Sequence, residues 1–410
     1  MHFDKEPKYS YSDIAVVPSS ISRVRHRSEC LTKPLDPIGD EIDNPLPIFA
    51  APMSTIVDID SYSRFKKNGI SPILPRNIDL STRLEYAKNG DWAAFSLDEF
   101  IDEFIKKEAK SSVGSHVMRV LVDVANGHMS MLIETCKAAK EKYGHQLKIM
   151  AGNVANPATY RAYADAKIDY IRVGVGGGSG CITSTQTAIH YPMASLVYDI
   201  ASIRHVRRDG MKYMNDPKIV ADGGIRNYSD VVKALALGAD YVMIGGLFAT
   251  CAEAAGKLYT KGRKLDQYLF DRYENIRKDE NGHWVGDYKQ EFYDKHFGIL
   301  ENKPEKTKAL GKIYREFYGM ASKKGQRDMK MSDLDPEKRK RIETLPMKFH
   351  TAEGIAKEIE VTQTLAKWSE NMRDYLRSAM SYCNAMTLDE FKENANCIVL
   401  SEGAKSAINK

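Results

Sequence analysis

The chain has 410 residues, with 60 Lys and Arg against 55 Asp and Glu, a net charge of +5, 43% hydrophobic and 28% charged residues. So small an excess does not mark a nucleic-acid or membrane-surface protein, and the composition excludes a disordered, collagenous or low-complexity chain. The partners expected from this are neither nucleic acid nor membrane.

In chain order, short β-like apolar runs recur with helical stretches between most of them, the pattern of parallel βα units. They are PIFAAPM from Pro47, SPILP from Ser71, WAAFSL from Trp92, RVLVDV from Arg119, KIMAGN from Lys148, YIRVGVG from Tyr170, KIVADGG from Lys218 and YVMIGG from Tyr241. Eight such runs, several ending in Gly, Asn, Asp or Pro, predict a single (β/α)8 TIM barrel over residues 1–410, with its chemistry at the carboxyl ends of the strands. Between them MLIETCKAAKEKYG and SDVVKALALGA carry apolar residues at helical spacing and stop at glycine, as outer helices do. A doubly wound sheet is the competing topology. It requires an early GxGxxG, and the first run here is followed by STIVD.

After the eighth run the pattern breaks. Residues 258–314, rich in Tyr, Lys and Asp, read as an insertion, with a small hairpin at HWVG entered by DENG and amphipathic helices on both flanks. Its aromatics could stack on bases, but at helical spacing they are better read as packing residues. From residue 302 to 341 there are 13 Lys and Arg against 6 Asp and Glu, a larger excess than the whole chain carries, which favours anionic ligands. Residues 321–352 are expected to form a mobile flap.

No apolar run reaches the roughly 20 residues that span a bilayer, and MHFDKEPKYS lacks the apolar core of a secretion signal, so the expected location is the cytoplasm. The six cysteines (Cys30, Cys136, Cys181, Cys251, Cys383 and Cys397) include no CxxC pair. In a reducing compartment they are free thiols, most of them small buried hydrophobes.

One cysteine stands apart. In VGVGGGSGCITST, residues 173–185, five glycines precede Cys181, and such a loop lets backbone N–H and C=O groups converge on a phosphate or ion. A thiol there points into the barrel mouth, where backbone amides and basic neighbours favour the nucleophilic thiolate.

The spacing Gly-x-Gly-x-Gly-Ser-x-Cys-x-Thr resembles the catalytic loop of the IMP dehydrogenase / GMP reductase family. YSDIAVVPS, FAAPMS, VDVANGH, AGNV, ADGGIR, MIGG, FYGMAS and AEG follow in that family's order. The resemblance covers about residues 8–256 and 313–398 and skips the insertion. It implies that Cys181 attacks C2 of a purine mononucleotide to give a thioimidate, with Thr183 and Glu353 moving protons. Ser179, Gly223, Gly224, Gly245 and Gly246 would hold the 5′-phosphate, Asp222 the ribose hydroxyls, and Tyr318, Gly319 and Met320 the base. Asp123, Ala125, Asn126, Gly127 and Arg76 would meet the nicotinamide cofactor. The carbonyls of Gly176, Gly178 and Cys181 would hold a potassium ion. The assembly it implies is a homotetramer.

Two branches share that intermediate. VDVANG and FYGM resemble the reductase, which converts GMP to IMP and ammonia with NADPH, and no Arg-Tyr pair of the dehydrogenase type lies between Met320 and Glu353. Against it, Arg341–Ile342 stands near the place of that pair, and Ser54, Arg76 and Ser184 depart from the usual residues. The reductase is therefore the expectation. The alternatives are an NAD-dependent IMP dehydrogenase making XMP, and a non-catalytic nucleotide-binding barrel.

Overall fold

A computed structural model of the chain describes residues 4–34, 42, 44–107, 116–178, 180–204, 216–260, 263–265, 273–279, 281, 283–297, 304–332, 351–352, 354–408. Eight strands close a parallel barrel: β2 (Ile48–Ala50), β3 (Ser71–Leu74), β4 (Trp92–Phe95), β5 (Met118–Asp123), β6 (Leu147–Val154), β7 (Tyr170–Val173), β8 (Lys218–Asp222) and β9 (Tyr241–Ile244), with β9 pairing back onto β2. All eight correspond to the apolar runs of the sequence. The helices Ser130–Tyr143 and Tyr228–Ala236 lie between strands as expected and run into Gly144 (φ 56°) and Gly238 (φ 107°), where an L side chain would be strained.

Strand parity decides what fills the lumen. Phe49, Trp92, Tyr170 and Tyr241, near the amino ends of their strands, meet edge-on inside it, with Trp92 5.7 Å from Phe49 and 5.2 Å from Tyr170. Burying each ring contributes about 2 kcal/mol, and the edge-to-face geometry adds to it. This quartet plugs the floor, so a ligand can approach only at the carboxyl ends. Two residues further along β5, β7 and β8, the same parity turns Asp123, Arg172 and Asp222 inward as a polar upper layer above Leu121, Tyr170 and Val220.

An amino-terminal strand, β1 (Ile14–Val17), pairs antiparallel with the carboxyl-terminal β17 (Asn396–Val399) outside the barrel. After β9 come β10 (Leu258–Thr260), β11 (Arg263–Leu265), β12 (Tyr273–Lys278), β13 (Trp284–Tyr288), β14 (Thr307–Gly311), β15 (Tyr314–Tyr318) and β16 (Ala356–Glu360). They build two antiparallel sheets, ordered β11-β10-β15-β16 and β12-β13-β14. The hairpin expected at HWVG is β12–β13. The downstream flank is helical at Gln290–Phe297, but the upstream flank is not: Leu258 pairs with Leu265, and β10 also pairs with β15, so long-range sheet pairing overrides the helical reading there. Tyr273, Tyr288, Phe292 and Tyr293 stack on one another as packing residues. In the stretch expected to be a flap, Lys323–Ser332 is helical, while residues 333–350 lie outside the described residues. Among the described residues no helix is long and apolar enough to cross a membrane.

Candidate active site

Because every barrel strand runs the same way, the segments after them share one rim. The glycine loop after β7 folds over that rim. Gly174 (φ 134°) turns the chain where a Cβ would lie 2.2 Å from the Asp222 carbonyl oxygen, so only glycine lets β7 and β8 approach this closely. The loop docks on the next turn as Gly224 N–H donates to Gly177 O at 2.8 Å. Gly223 (φ 109°) and Gly224 (φ 75°) supply the compact turn.

Cys181 stands at the end of this loop, partly exposed, and its thiol donates to Thr183 Oγ1 at 3.1 Å. The contrast with the other cysteines is chemical. Cys30, Cys136, Cys251 and Cys383 are buried, and burial pushes the Cys136 thiol up to about 12, which keeps it inert. A second segment closes on Cys181. Cys181 forms an antiparallel bridge with Gly354, and Ile355 N–H donates to Gly180 O at 3.0 Å. Glu353 itself, like Ser179, lies outside the described residues.

The β15 finger reaches the same loop: a Cβ on Gly180 would lie 3.1 Å from Phe317 and 3.6 Å from Gly319 N. Thr55 Oγ1 donates to Tyr318 O at 3.3 Å, Ser322 Oγ donates to Gly319 O at 2.7 Å, and the Met320 sulfur lies 3.9 Å from Ser54 Oγ. The Tyr318 hydroxyl donates to Asp328, and burial together with that carboxylate raises its pKa, so it stays a neutral donor. Gly245 sits against Met53, where a Cβ would meet the sulfur at 2.9 Å, and is followed by the half-buried Gly246.

On the opposite rim, Gly127 N–H donates to Asn153 O at 2.9 Å, and Ala125 and Asn126 are exposed beside it. Arg76 donates to Asp123 O at 3.1 Å. Arg76 Nε and Asn77 Oδ1 are buried without a hydrogen-bond partner among the described residues, so polar capacity remains there for a ligand. Next to Asn126, His128 accepts from Ala155 N–H and shares a hydrogen bond with Thr159; burial lowers its pKa, which marks a neutral hydrogen-bonding residue rather than a charged one.

Two residues without a role in the sequence reading complete the site. Asn153 Nδ2 donates to Gly174 O at 2.9 Å and to Asp222 Oδ2 at 2.7 Å. Arg172 is buried between Asp123 and Asp222; burial works against its charge, but the two carboxylates more than offset that and raise its pKa. Strand parity was the signal for Arg172, two positions after the inward Tyr170.

Among the described residues no group of three or more His, Cys, Asp or Glu could hold a metal ion. The loop carbonyls are a different donor set, of the oxygen type that suits a dehydrated potassium ion. Gly176 O accepts from Ser184 Oγ at 3.3 Å and Gly178 O from Cys181 N–H at 3.0 Å, and each keeps a second lone pair, so the donors fit such an ion.

Residues 100–277 match the model of the IMP dehydrogenase / GMP reductase domain. Over 281 residues the chain is 32% identical to a GMP reductase of Clostridium acetobutylicum, covering 67% of this chain and 81% of that protein. The chain belongs to the IMP dehydrogenase / GMP reductase family. It is an oxidoreductase of that family. Other similar relatives are a GMP reductase of Bacillus subtilis, 30% identical over 67% of this chain and 81% of the relative, and one of Helicobacter pylori, 27% identical over 78% and 92%.

Proposed function

We propose that the chain is a GMP reductase: it converts GMP, or a related guanine nucleotide, to IMP and ammonia with NADPH. The observation that carries the reading is a partly exposed thiol hydrogen-bonded to Thr183 at the end of a glycine loop, on a barrel whose relatives are named GMP reductases. In this reading the Cys181 thiolate attacks C2 of the purine, the C2–N bond breaks, and ammonia leaves with a proton. Thr183 and Glu353 deliver that proton, as a hydroxyl and carboxyl paired for relay can. The product is a thioimidate on Cys181. NADPH, which Asp123, Ala125, Asn126, Gly127 and Arg76 would hold, would supply the hydride that C2 takes up as the C–S bond breaks and Cys181 returns as thiolate. Overall GMP, NADPH and two protons give IMP, NADP⁺ and ammonium.

The chain's own residues do the holding. Backbone amides of Gly223, Gly245 and Gly246, with Ser179, suit the 5′-phosphate on the turn that Gly224 fixes, and Asp222 suits a diol. Tyr318, Gly319 and Met320 face the base, while Asp123, Ala125, Asn126, Gly127 and Arg76 form the side for NADPH. The carbonyls of Gly176, Gly178 and Cys181 would hold a potassium ion, whose charge would neutralise them. The enzyme is read as a cytoplasmic homotetramer. A paired assay tests direction: GMP with NADPH against IMP with NAD, followed at the reduced-nicotinamide absorbance. NADPH consumption with GMP is expected to exceed NADH production from IMP, and the reverse result makes the chain a dehydrogenase.

A further inference from the structure

Arg172 uses three nitrogens on two carboxylates. Its Nε and Nη2 donate to Asp222 Oδ2 at 3.2 and 2.8 Å, and its Nη1 donates to Asp123 Oδ1 at 2.5 Å. The barrel register explains how one side chain reaches both. Asp123 pairs with Gly152, Gly152 with Arg172 and Arg172 with Val220, so a glycine stands between the arginine and the acid of β5. A Cβ on Gly152 would lie 2.7 Å from Arg172 Cβ and 2.5 Å from its carbonyl oxygen. Gly152 is thus the gap through which the guanidinium crosses from β7 toward β5.

The engaged oxygens matter as much as the bridge. The Asp222 side-chain hydrogen bonds described here, two from Arg172 and one from Asn153, all fall on Oδ2. This turns Oδ1 over to a ligand. On the other side Arg172 takes Asp123 Oδ1, while Oδ2 lies 3.9 Å from Arg76. Each carboxylate is oriented by the same buried cation and keeps one oxygen for a hydroxyl.

We infer that Arg172 is a positioning residue that makes the ribose-side Asp222 and the dinucleotide-side Asp123 one binding unit, so that the two ligand sites are coupled through a single guanidinium. The inference rests on the proposed reading that Asp222 meets the nucleotide and Asp123 the nicotinamide cofactor. A planar fork can satisfy both acids at once and a single ammonium cannot.

The test measures GMP binding alone and NADPH binding alone, by calorimetry and by nicotinamide fluorescence, on the wild-type chain, Arg172→Lys and Asp123→Asn. Arg172→Lys should weaken both ligands by about tenfold or more, the scale of a lost charge-assisted hydrogen bond, with the melting temperature and the rate of Cys181 alkylation near wild type. Weakening of one ligand only, or of neither, overturns the inference. If Arg172→Lys does not fold, Asp123→Asn decides. Coupled carboxylates require GMP affinity, measured without any dinucleotide, to shift by about threefold or more, because only a neutral amide then shares the guanidinium with Asp222. GMP affinity within twofold of wild type means the acids act independently, and the inference falls. A wild-type chain that binds neither GMP nor NADPH defeats the proposed function instead.

Discussion

The barrel lumen and the segment appended after β9 both bury aromatic rings, but they hold them by opposite means. In the lumen, Phe49, Trp92, Tyr170 and Tyr241 come from strands far apart in sequence and lock against one another. In the appended segment, Trp284 shares a small core with Ala252, Leu258, Ile313 and Val361. Trp284 Nε1 donates to Val361 O at 2.8 Å within that core. The fully buried Arg315 ties the segment to the chain just after the barrel's last strand, donating to Cys251 O at 2.6 Å and Ala252 O at 2.9 Å. The upper-layer charges therefore rest on rings interlocked inside the barrel, whereas the finger carrying Phe317 to Met320 is held by strand pairing with β10 and β16, by Phe317 in the main core and by Thr55 Oγ1 on Tyr318 O. The proposed reaction would use both halves: a fixed set of carboxylates and a nucleophile with a separate element closed over it.

The largest effect should come from a change that disturbs neither half. Cys181→Ala removes the thiol at the junction of the glycine loop and Gly354. Turnover of GMP is expected to fall by at least about 10³-fold, with GMP affinity and melting temperature close to wild type. Turnover near wild type would show that the covalent route is wrong.

The comparison itself is tested by two tryptophans. Trp92→Ala and Trp284→Ala each remove a buried ring, a loss of about 3–5 kcal/mol where the cavity does not collapse. For Trp92 the loss should appear as a lower global unfolding midpoint, because its ring packs on rings from strands on other sides of the barrel. For Trp284 it should appear mainly as faster hydrogen exchange in β13 to β15, with weaker turnover and little change at β5 to β8. Equal effects of Trp284→Ala on exchange in both regions would erase the distinction.

What the sequence revealed follows the same division. The barrel strands were legible because each is a short apolar run closed by turn residues, and the Cys181 loop because five glycines before a cysteine have no packing use. Arg172 is legible in principle, two residues after Tyr170 in one strand, but its two carboxylate partners come from other strands and leave no local pattern around it. Asn153 acquires its role only when β6, β7 and β8 are side by side. The strands β10 and β11 are hidden for another reason: three residues each carry no periodicity, and the second partner of β10 is β15, where Leu258 meets Arg315 far along the chain. Glu353 and Ser179 lie outside the described residues, so their roles rest on the motif alone.

A smaller effect is expected where the barrel rim is held by a cap rather than by a core. Asp79 precedes the helix Leu80–Lys88, just after Arg76 on the rim, and its carboxylate accepts from Ser81 Oγ at 2.6 Å, Thr82 Oγ1 at 2.7 Å and Thr82 N–H at 2.9 Å. These donors, Ser81 first, lower its pKa from 3.8 to about 2. A folded value below the unfolded one means that the unfolded chain binds the proton more readily. The cap's ionic contribution is therefore fully present above about pH 4 and is lost as the pH falls toward 2. Asp79→Ala should cost about 1 kcal/mol at pH 7, read from the denaturant midpoint, and the gap to wild type should narrow at pH 3. Asp79→Asn keeps an oxygen for the Thr82 N–H and should recover most of that stability while removing the pH dependence. If Asp79→Ala costs as much at pH 3 as at pH 7, the cap acts through shape alone, and charge at this rim is irrelevant to the helix it starts.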